Sequence, residues 1–421
     1  MRISPLFLSK LKGLMLISVL VSESVVLFKR GEKYKGLCPF HNDKNPSMDI
    51  DDAKGRYKCW VCGEERDIFD WERKINTGGD FYAAVRSIAI RLNEKMPDED
   101  SLPNDKRNVK IVSALYRAQY LYRHGLAKNS TAVDYLAFRG FTSKTVELWE
   151  LGVVSKGVIS ILRKKFSDDV LISSGIAKRD NKGDLYDCLR QRITIPLKNR
   201  NGTLVGFAGR KLFEWDESPK YLNLAETNVF TKGELLFGLD KALPHIYKAN
   251  CVVIVEGYFD VISLHQAGEQ KAVAGMGTAI TEHQLNTLMN IARTLIFCFD
   301  NDNGGARAIR CLLPKLLGVI TDKHTVRFNF LEKGYDPDEY IKSKGLGSWS
   351  QSCEQSLPLS FLLMQYITSN FKLDSLEDKQ RAAIRATEVC NSIKKARYLK
   401  QLLMNKVKNE LGIIVEVQNE Y

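Results

Sequence analysis

Apolar runs and helical stretches alternate between residues 250 and 331. Each apolar run is short enough to form a strand covered on both faces, and the runs span 251–255, 272–274, 294–299 and 325–331. The stretches between them repeat apolar residues at helical spacing, over about 259–267, 281–293 and 304–317. Strands that alternate with helices predict an α/β module with a largely parallel sheet and helices on both faces.

The rest of the chain predicts mixed and helical regions. Residues 108–180 have mostly helical spacing with short strands, and 358–421 are helical, with Arg and Lys on the polar face. The runs 193–197 and 203–207 flank Asn201-Gly202, a pair that is typical of a β-hairpin. These patterns predict an α+β region before the α/β module and a helical region after it.

A polar segment divides the chain near its first quarter. Residues 93–107 have almost no apolar content and contain two prolines, so we predict a linker there. The predicted parts are a small domain (1–92), the linker, a mixed α+β subdomain (108–249), the α/β module (250–345) and a helical subdomain (346–421).

Composition and charge limit the kinds of protein this chain can be. With 421 residues, 44% hydrophobic and 27% charged, it has room for two to four globular domains and is neither collagen-like nor wholly disordered. The net charge of +12 favours polyanionic partners such as nucleic acid. No apolar run is long enough to span a bilayer, so we expect no membrane partner.

The apolar run 13–22 near the N-terminus has two interpretations. Lys10 and Lys12 precede it, as in a signal peptide, but Glu23 ends it and no small-residue cleavage site follows. We therefore interpret it as a short buried helix or strand. Nine cysteines are too few for a disulfide scaffold in a chain this long, and we expect a reducing, cytoplasmic compartment.

Three of the cysteines form a metal-binding pattern with a histidine. Cys38 and His41 are separated by two residues, and so are Cys59 and Cys62, with a 17-residue gap between the pairs. Three thiolates and one imidazole at these spacings are typical of zinc ribbons. Four protein ligands fill a tetrahedral shell, so we predict one structural zinc ion. The alternative is a chance grouping of buried thiols and a surface histidine.

The strand before Cys62 mixes cations with aromatics, in the segment 56–60. Two interpretations remain open for Tyr57 and Trp60. In one, the two rings stack on single-stranded bases while the neighbouring cations contact phosphates. In the other, the two rings cover a small core.

Carboxylates follow three of the four predicted strands of the α/β module. They are Glu256 and Asp260 after the first strand, Asp300 and Asp302 after the third, and Asp336 and Asp338 after the fourth. Ligands of open α/β sheets bind beyond the carboxyl ends of the strands, so we expect these side chains at one rim. Taken singly, an aspartate there can instead be a helix cap or a turn residue.

So much negative charge at one rim requires hard cations with oxygen ligands. Two Mg²⁺ ions, or Mn²⁺ in their place, are the usual solution when the substrate carries phosphates. The region 188–212 holds six Lys or Arg residues and no acid, and Lys220 and Tyr221 follow it. On a hairpin these cations can bind phosphates, although a basic hairpin alone more often serves solubility.

These motifs together resemble those of the bacterial-type replicative DNA primases, over nearly the whole chain. The cysteine and histidine pairs match that family's zinc-binding domain. Its TOPRIM module is matched by 255–260, 277–278, 299–302 and 336–339. Its N-terminal polymerase subdomain is resembled by 135–140, 190–192, 206–210 and 219–223. The segments also occur in the family's order.

The resemblance implies a nucleotidyltransferase that makes short RNA primers on single-stranded DNA from ribonucleoside triphosphates. The implied catalytic and magnesium ligands are Glu256, Asp300 and Asp302, with Asp260, Asp336 and Asp338 in support. The residues implied to contact nucleotide or template are Arg139, Arg192, Arg210, Lys220, Tyr221 and Lys232. The zinc domain would bind the template and help to select the start site. We expect a monomer that acts at the replication fork.

The sequence departs from the family pattern at three points. Asn301 replaces the middle Gly of the family's Asp-Gly-Asp motif, and Gly304 replaces the Ala of the x-Ala-Gly that follows it. These changes affect the turn but keep its carboxylates. Arg66 stands where a second Gly usually follows the last zinc cysteine. A replicative helicase is a possible partner, although the family's C-terminal helicase-binding domain, which is its usual docking domain, has no counterpart before Tyr421.

Two other classes fit part of the pattern. One is another TOPRIM enzyme, but the roughly 90 residues after the module cannot supply the toroidal domains of a topoisomerase. A TOPRIM nuclease, in turn, needs neither the zinc motif nor the basic hairpin. The other class is a zinc-dependent single-strand DNA-binding protein without catalysis, against which the complete set of carboxylates argues.

Overall fold

The computed structural model describes most of the chain and divides it into two compact units, Met1–Thr231 and Lys232–Tyr421. The described residues are 3, 7–8, 11–12, 15–52, 54–92, 94, 96, 102–213, 215–277, 280–299, 303–369 and 371–415, with 102–106, 303–304 and 306 described by their backbone alone. Among these residues, no helix is both long and apolar enough to cross a membrane.

The first unit begins with a small sheet and short helices. In chain order these are α1 (Ile17–Ser22), β1 (Phe28–Arg30), β2 (Lys33–Gly36), β3 (Met48–Asp51), β4 (Arg56–Cys59), β5 (Glu65–Arg66), α2 (Ile68–Ile75) and α3 (Phe81–Arg91). The strands pair in sequence order and are all antiparallel. Helix α1 lies within the apolar run 13–22 and buries Ile17 and Val21, as predicted for a short buried helix.

This small sheet has an aromatic core and an ion pair whose carboxylate is buried. Trp71 lies edge-on to Phe40 and to Tyr57, with ring centroids 5.3 and 5.0 Å apart. Glu72 is completely buried in α2 and accepts hydrogen bonds from Ser87 and Arg91 of α3, at 2.6 and 3.2 Å. Because an unpaired buried carboxylate is costly, these bonds fix α3 against α2.

The second part of the first unit consists of helices around another antiparallel sheet. Its elements are α4 (Leu102–Leu126), α5 (Ser130–Phe138), α6 (Ser143–Leu148), β6 (Gly152–Val153), α7 (Val158–Arg163), α8 (Asp168–Ser173), β7 (Ala177–Arg179), β8 (Leu185–Asp187), β9 (Arg192–Lys198), β10 (Leu204–Lys211) and β11 (Tyr221–Asn223). The sheet has the order β11-β10-β9-β6, and β9 and β10 form the predicted hairpin. Helix α4 begins at Leu102, inside the segment predicted to be a linker.

Helix α4 packs closely onto this sheet. Its inner face buries Ile111, Leu115 and Tyr122. Near the end of the helix, a Cβ on Gly125 would lie 2.5 Å from the carbonyl oxygen of Val153, so only glycine fits there. A Cβ on Gly152 would similarly meet the backbone of Tyr122 at 2.7 Å. The helix therefore has little freedom to shift along the sheet.

The second unit contains a mostly parallel sheet with helices. Its elements are α9 (Leu239–Ala249), β12 (Cys251–Val255), α10 (Tyr258–Ala267), β13 (Ala272–Ala274), α11 (Glu282–Ile291), β14 (Thr294–Phe299), α12 (Asn303–Val319), β15 (Thr325–Phe330), α13 (Pro337–Glu354), β16 (Leu357–Pro358), α14 (Leu359–Thr368), α15 (Leu376–Ser392) and α16 (Arg397–Leu411). The strand order is β13-β12-β14-β15-β16, with the first four parallel and β16 antiparallel to β15. This confirms the predicted α/β module with a largely parallel sheet.

One hydrophobic core joins the sheet of the second unit to its last three helices. Phe297 and Phe328 on the sheet belong to the same buried cluster as Leu363 of α14 and Val407 of α16. Helix α13 is interrupted at Gly345, whose φ of +77° is left-handed and suits glycine. Helices α14, α15 and α16 are thus packed onto the sheet and share its core.

Candidate metal centres and nucleic-acid contacts

The structure brings the four predicted zinc ligands together. One donor atom from each of Cys38, His41, Cys59 and Cys62 lies within 4.8 Å of all the others. The Sγ atoms of Cys38 and Cys62 are 3.8 Å apart, and Cys59 Sγ is 3.9 Å from His41 Nδ1. Tetrahedral zinc with Zn–S bonds of about 2.3 Å places its sulfur ligands about 3.8 Å apart, so the site fits zinc.

Local hydrogen bonds prepare Cys59 for metal binding. It ends β4, and its Sγ accepts hydrogen bonds from the backbone N–H groups of Val61 and Cys62, both at 3.4 Å. Burial opposes ionisation of this thiol, but the Ser47 hydroxyl and these two N–H groups outweigh it and lower the pKa of Cys59 to about 7. Because the thiolate is the form that binds metal, this favours zinc at neutral pH.

Asp43 supports the zinc site and was not predicted from the sequence. Its carboxylate accepts hydrogen bonds from the backbone N–H of Cys38 at 2.8 Å and the hydroxyl of Ser47 at 2.6 Å. These bonds, the one from Cys38 first, lower the pKa of Asp43 to about 2. Its other oxygen lies 3.7 Å from Nε2 of His41, on the opposite side of the ring from Cys59. A carboxylate in this position orients a metal-binding imidazole, and its place two residues after His41 is the only sequence signal.

The two aromatic residues of the segment 56–60 have different environments. Tyr57 is completely buried in the aromatic core, which matches the structural interpretation. Trp60 is 65% exposed, and the ammonium of Lys58 lies 4.5 Å from the centre of its ring. The indole N–H donates to Asp49 at 2.9 Å, which holds the ring in place.

Glu256 stands at the topological switch point of the parallel sheet. Strand β12 is followed in the chain by β13 on one side of it and then by β14 on the other. Glu256 directly follows β12 and is exposed. Residue Phe299 ends the neighbouring strand β14, whose Phe297 pairs with Ile254. Ligands of open α/β sheets bind in the crevice at this point.

The other predicted carboxylates have varied surroundings. Asp300 and Asp302 lie outside the described residues. Asp260, in the first turn of α10, accepts a hydrogen bond from the backbone N–H of Gly257 at 2.9 Å. Asp336 caps α13 by accepting the N–H of Glu339 at 2.7 Å.

Asp338 is the most buried of the predicted carboxylates that the structure describes, with 1% of its surface exposed. It accepts a hydrogen bond from the hydroxyl of Ser263 and forms an ion pair with Lys342. Ser263 belongs to α10, so this carboxylate ties α13 to α10. Lys342 lies one helical turn after Asp338, whereas nothing near Asp338 in the sequence indicates Ser263. A part for Asp338 in metal binding stays a prediction.

Arg210 and Tyr221 lie together in the first unit, on paired strands β10 and β11. Arg210 is 7% exposed, and its guanidinium donates to the hydroxyl of Tyr221 at 2.6 Å and to the hydroxyl of Tyr135. Its Cζ lies 5.2 Å and 5.8 Å from the centres of those two rings. This cation is therefore held in a fixed place by two aromatic residues.

Arg192 is buried and holds a loop. Only 4% of its surface is exposed, and its guanidinium donates to the carbonyl oxygen of Pro219 at 2.9 Å and to the hydroxyl of Ser218. Asp216 lies 3.8 Å from the same guanidinium. Arg192 thus positions the segment that leads to Lys220 and Tyr221, and direct contact with nucleotide stays a prediction.

The remaining predicted contacts are spread over both units. Arg139 is half-buried one helical turn after Tyr135, whose carbonyl oxygen accepts its N–H at 2.9 Å. Lys220 is exposed directly before β11. Lys232 is half-buried in the second unit, and its carbonyl oxygen accepts a hydrogen bond from Gln284 at 3.1 Å.

Three protein-family models match successive parts of the chain. They are a CHC2 zinc finger at residues 3–103, the N-terminal domain of a DNA primase catalytic core at 121–243, and a Toprim-like domain at 253–341. Their order is the one that the motifs of the sequence predict.

Curated relatives match along almost the whole chain. A DNA primase of Rickettsia felis is 32% identical over 401 residues, which cover 93% of this chain and 66% of the relative. A DNA primase of Pasteurella multocida is 31% identical over 412 residues, which cover 95% of this chain and 70% of the relative. The chain spans just under two thirds of the length of the first of these relatives.

Solved structures of primases have the same fold. The zinc-binding and RNA polymerase domains of the Aquifex aeolicus primase match with a TM-score of 0.64 and 28% identity, over 98% of both chains. A DnaG primase catalytic domain bound to single-stranded DNA matches with a TM-score of 0.66 and 28% identity, over 72% of this chain and 99% of that one.

Proposed function

Because this chain belongs to the bacterial DNA primase family, we propose that it synthesises short RNA primers on a single-stranded DNA template. One observation carries the proposal, namely that zinc finger, primase core and Toprim-like domain follow one another in a single chain. A TOPRIM nuclease needs neither of the first two. The reaction is nucleotidyl transfer, in which a 3′-hydroxyl attacks the α-phosphate of a ribonucleoside triphosphate and pyrophosphate leaves.

The carboxylates after β12, β14 and β15 would hold the catalytic metal ions. Glu256 supports this, since it is exposed at the switch point of the sheet and offers hard oxygen ligands. By family resemblance, Asp300 and Asp302 complete the set, with Asp260, Asp336 and Asp338 around them. Two Mg²⁺ or Mn²⁺ ions bound there would activate the 3′-hydroxyl and stabilise the leaving pyrophosphate.

Basic residues would contact the template and the triphosphate. Arg210 supports this, because Tyr135 and Tyr221 hold its charge in a defined place before any ligand binds. Arg139, Lys220 and Lys232 would add phosphate contacts, and Arg192 would act at least by fixing the loop before Lys220. A relative bound to single-stranded DNA supports the choice of template.

The zinc ribbon would bind template and help to select the start site, at the replication fork in the cytoplasm. Its exposed Trp60, held by Asp49 and covered by Lys58, offers a base-stacking surface beside cations.

The proposal is tested by de novo synthesis. The purified chain is incubated with a mixed-sequence single-stranded DNA, Mg²⁺ and all four ribonucleoside triphosphates, one of them labelled. We expect short RNA with a 5′-triphosphate that depends on template and metal. Cleavage of the template without labelled RNA would instead indicate a nuclease, and binding without either product a non-catalytic protein.

A further inference from the structure

Helix α4 presents a basic and aromatic surface to solvent. From residue 107 to 128 the chain has five Lys or Arg residues and no Asp or Glu. Lys110, Arg117 and His124 are exposed and recur every seventh residue, so they lie nearly on one line along the helix. Lys128 follows in the next turn. We call Lys110, Arg117, Tyr120, His124 and Lys128 the α4 stripe.

The cations of the α4 stripe have no acidic partners in the part of the chain that the structure describes. Neither Lys110, Arg117 nor Lys128 makes an ion pair there. Cations elsewhere in the same unit behave differently, since Lys33 pairs with Asp51 at 3.3 Å and Lys58 with Glu65 at 2.9 Å. Charges that nothing nearby neutralises create a positive field that attracts a polyanion.

Planar side chains lie among these charges. The guanidinium carbon of Arg117 is 5.0 Å from the centre of the Tyr120 ring, and that ring is 4.0 Å from the ring of His124. Nδ1 of His124 donates to the carbonyl oxygen of Tyr120 at 2.9 Å, which fixes the imidazole. Tyr120 is 49% exposed. Nucleic-acid bases stack on such rings and guanidinium planes when they are not already stacked in a duplex.

The opposite face of the helix is rigidly mounted. Ile111, Leu115 and Tyr122 are buried in the core, and Gly125 approaches the carbonyl oxygen of Val153 too closely for any larger residue. From Lys110 to His124 the α4 stripe is about 21 Å long at 1.5 Å per residue. That is room for several nucleotides of an extended strand.

We infer that the α4 stripe binds single-stranded DNA. It is a template contact separate from Arg139, Arg210, Lys220 and Lys232. The cations would bind phosphates, and the Arg117–Tyr120–His124 ladder would stack on unpaired bases. A duplex would use the charges but not the ladder, which is why a single strand is the chosen ligand. The choice of DNA rests on the proposed function, whereas the site itself rests on the geometry of α4.

The test is a binding titration with the full chain and a fluorescein-labelled 30-nucleotide oligo-dT, without nucleotides or Mg²⁺, at several salt concentrations. The variant K110A/R117A/K128A removes three phosphate contacts. Each contact to a single strand contributes about 0.7 to the slope of log K against log salt, so we expect the slope to fall by about two. The affinity near 0.1 M salt should fall at least tenfold.

The matched control is K379A/K406A/K408A, which removes three exposed cations from α15 and α16 of the second unit. It makes the same change in net charge and should leave slope and affinity unchanged within a factor of two. Tyr120→Ala should weaken binding several-fold, and Tyr120→Phe should not. An oligonucleotide with iododeoxyuridine should photocrosslink to the tryptic peptide 118–123.

Three results would overturn the inference. The first is a salt slope in the α4 variant equal to that of the unsubstituted chain. The second is a loss of affinity in the control as large as in the α4 variant. The third is a blunt duplex that binds more tightly than the single strand and loses as much affinity in the α4 variant. Because the titration needs no synthesis, a chain that makes no primers still gives a result. Failure of the proposed function would show separately, as no synthesis in the unsubstituted chain.

Discussion

The hydroxyl of Tyr122 donates a 2.6 Å hydrogen bond to the carboxylate of Asp187 inside the first unit, where both side chains are buried. The carboxylate also accepts the backbone N–H of Leu189 at 2.8 Å. Burial nevertheless dominates and raises the pKa of Asp187 to about 6. The pair joins α4 to β8, so its protonation is coupled to the stability of this unit.

The first prediction concerns this pH dependence. In the unfolded chain Asp187 has a pKa near 4, so the folded state binds its proton more tightly. The contribution of Asp187 to stability is therefore largest below about pH 4 and declines until the pH exceeds about 6, by about 3 kcal/mol for a shift of about two units. Urea unfolding of the protein and of Asp187→Asn between pH 4 and 7 measures the difference. A difference that does not change over this range would contradict the prediction.

The second prediction concerns zinc. Cys62→Ser should lose the metal, because three remaining ligands leave the tetrahedral shell open. Cys311→Ser is the matched control, since Cys311 is also exposed but lies outside the cluster. Metal analysis should find about one zinc per chain in the control and well under half in Cys62→Ser. A full complement of zinc in Cys62→Ser would exclude this residue as a ligand.

The third prediction concerns the acidic rim. Glu256→Gln keeps the size of the side chain but removes a charged metal ligand, so primer synthesis should fall by at least 100-fold, equivalent to about 3 kcal/mol. Circular dichroism and zinc content should not change. Glu377→Gln, an exposed glutamate in the first turn of α15, should keep full activity. Equal activity of the two variants would remove Glu256 from the catalytic site.

The fourth prediction separates two parts that Arg192 can play. Arg192→Met leaves the carbonyl oxygen of Pro219 and the hydroxyl of Ser218 without their donor, so the first unit should lose about 3 kcal/mol of stability. Arg190→Met, whose exposed guanidinium lies 4.7 Å from the ring of Tyr186, should lose about 1 kcal/mol or less. Urea unfolding measures both.

Activity then shows whether Arg192 also contacts the nucleotide. If Arg192 only holds the loop, Arg192→Met should retain most of its rate of primer synthesis at temperatures well below its melting temperature, where the loop is still folded. An unfolding free energy of Arg192→Met equal to that of the unsubstituted protein would contradict the role of Arg192 in holding the loop.

The zinc ligands and the strands of the parallel sheet could be predicted from the sequence because their signals are local. Ligand spacing brings Cys59 and Cys62 together within one turn, and strands buried on both faces read as short apolar runs, so β12 and β14 have the predicted limits. The exposure of Glu256 at the mouth of the sheet follows from the same topology.

Contacts between distant residues could not be predicted. Nothing in the sequence near Asp338 indicates that Ser263, 75 residues earlier, donates to it. The loop that Arg192 holds lies 26–27 residues away, and the basic motif there suggested only phosphate binding. The start of α4 was missed because 102–107 has polar residues and Pro103, which a first helical turn tolerates.

The shared core of the second unit has a consequence for experiments that shorten the protein. Leu363 and Val407 cover the same apolar cluster as Phe297 on the strand that leads to Asp300. Deleting the last helices would expose that cluster to water. The sheet would then no longer unfold cooperatively. A substitution that disrupts packing at Val407 should therefore lower the metal affinity of the acidic rim, although more than 100 positions separate the two in the chain.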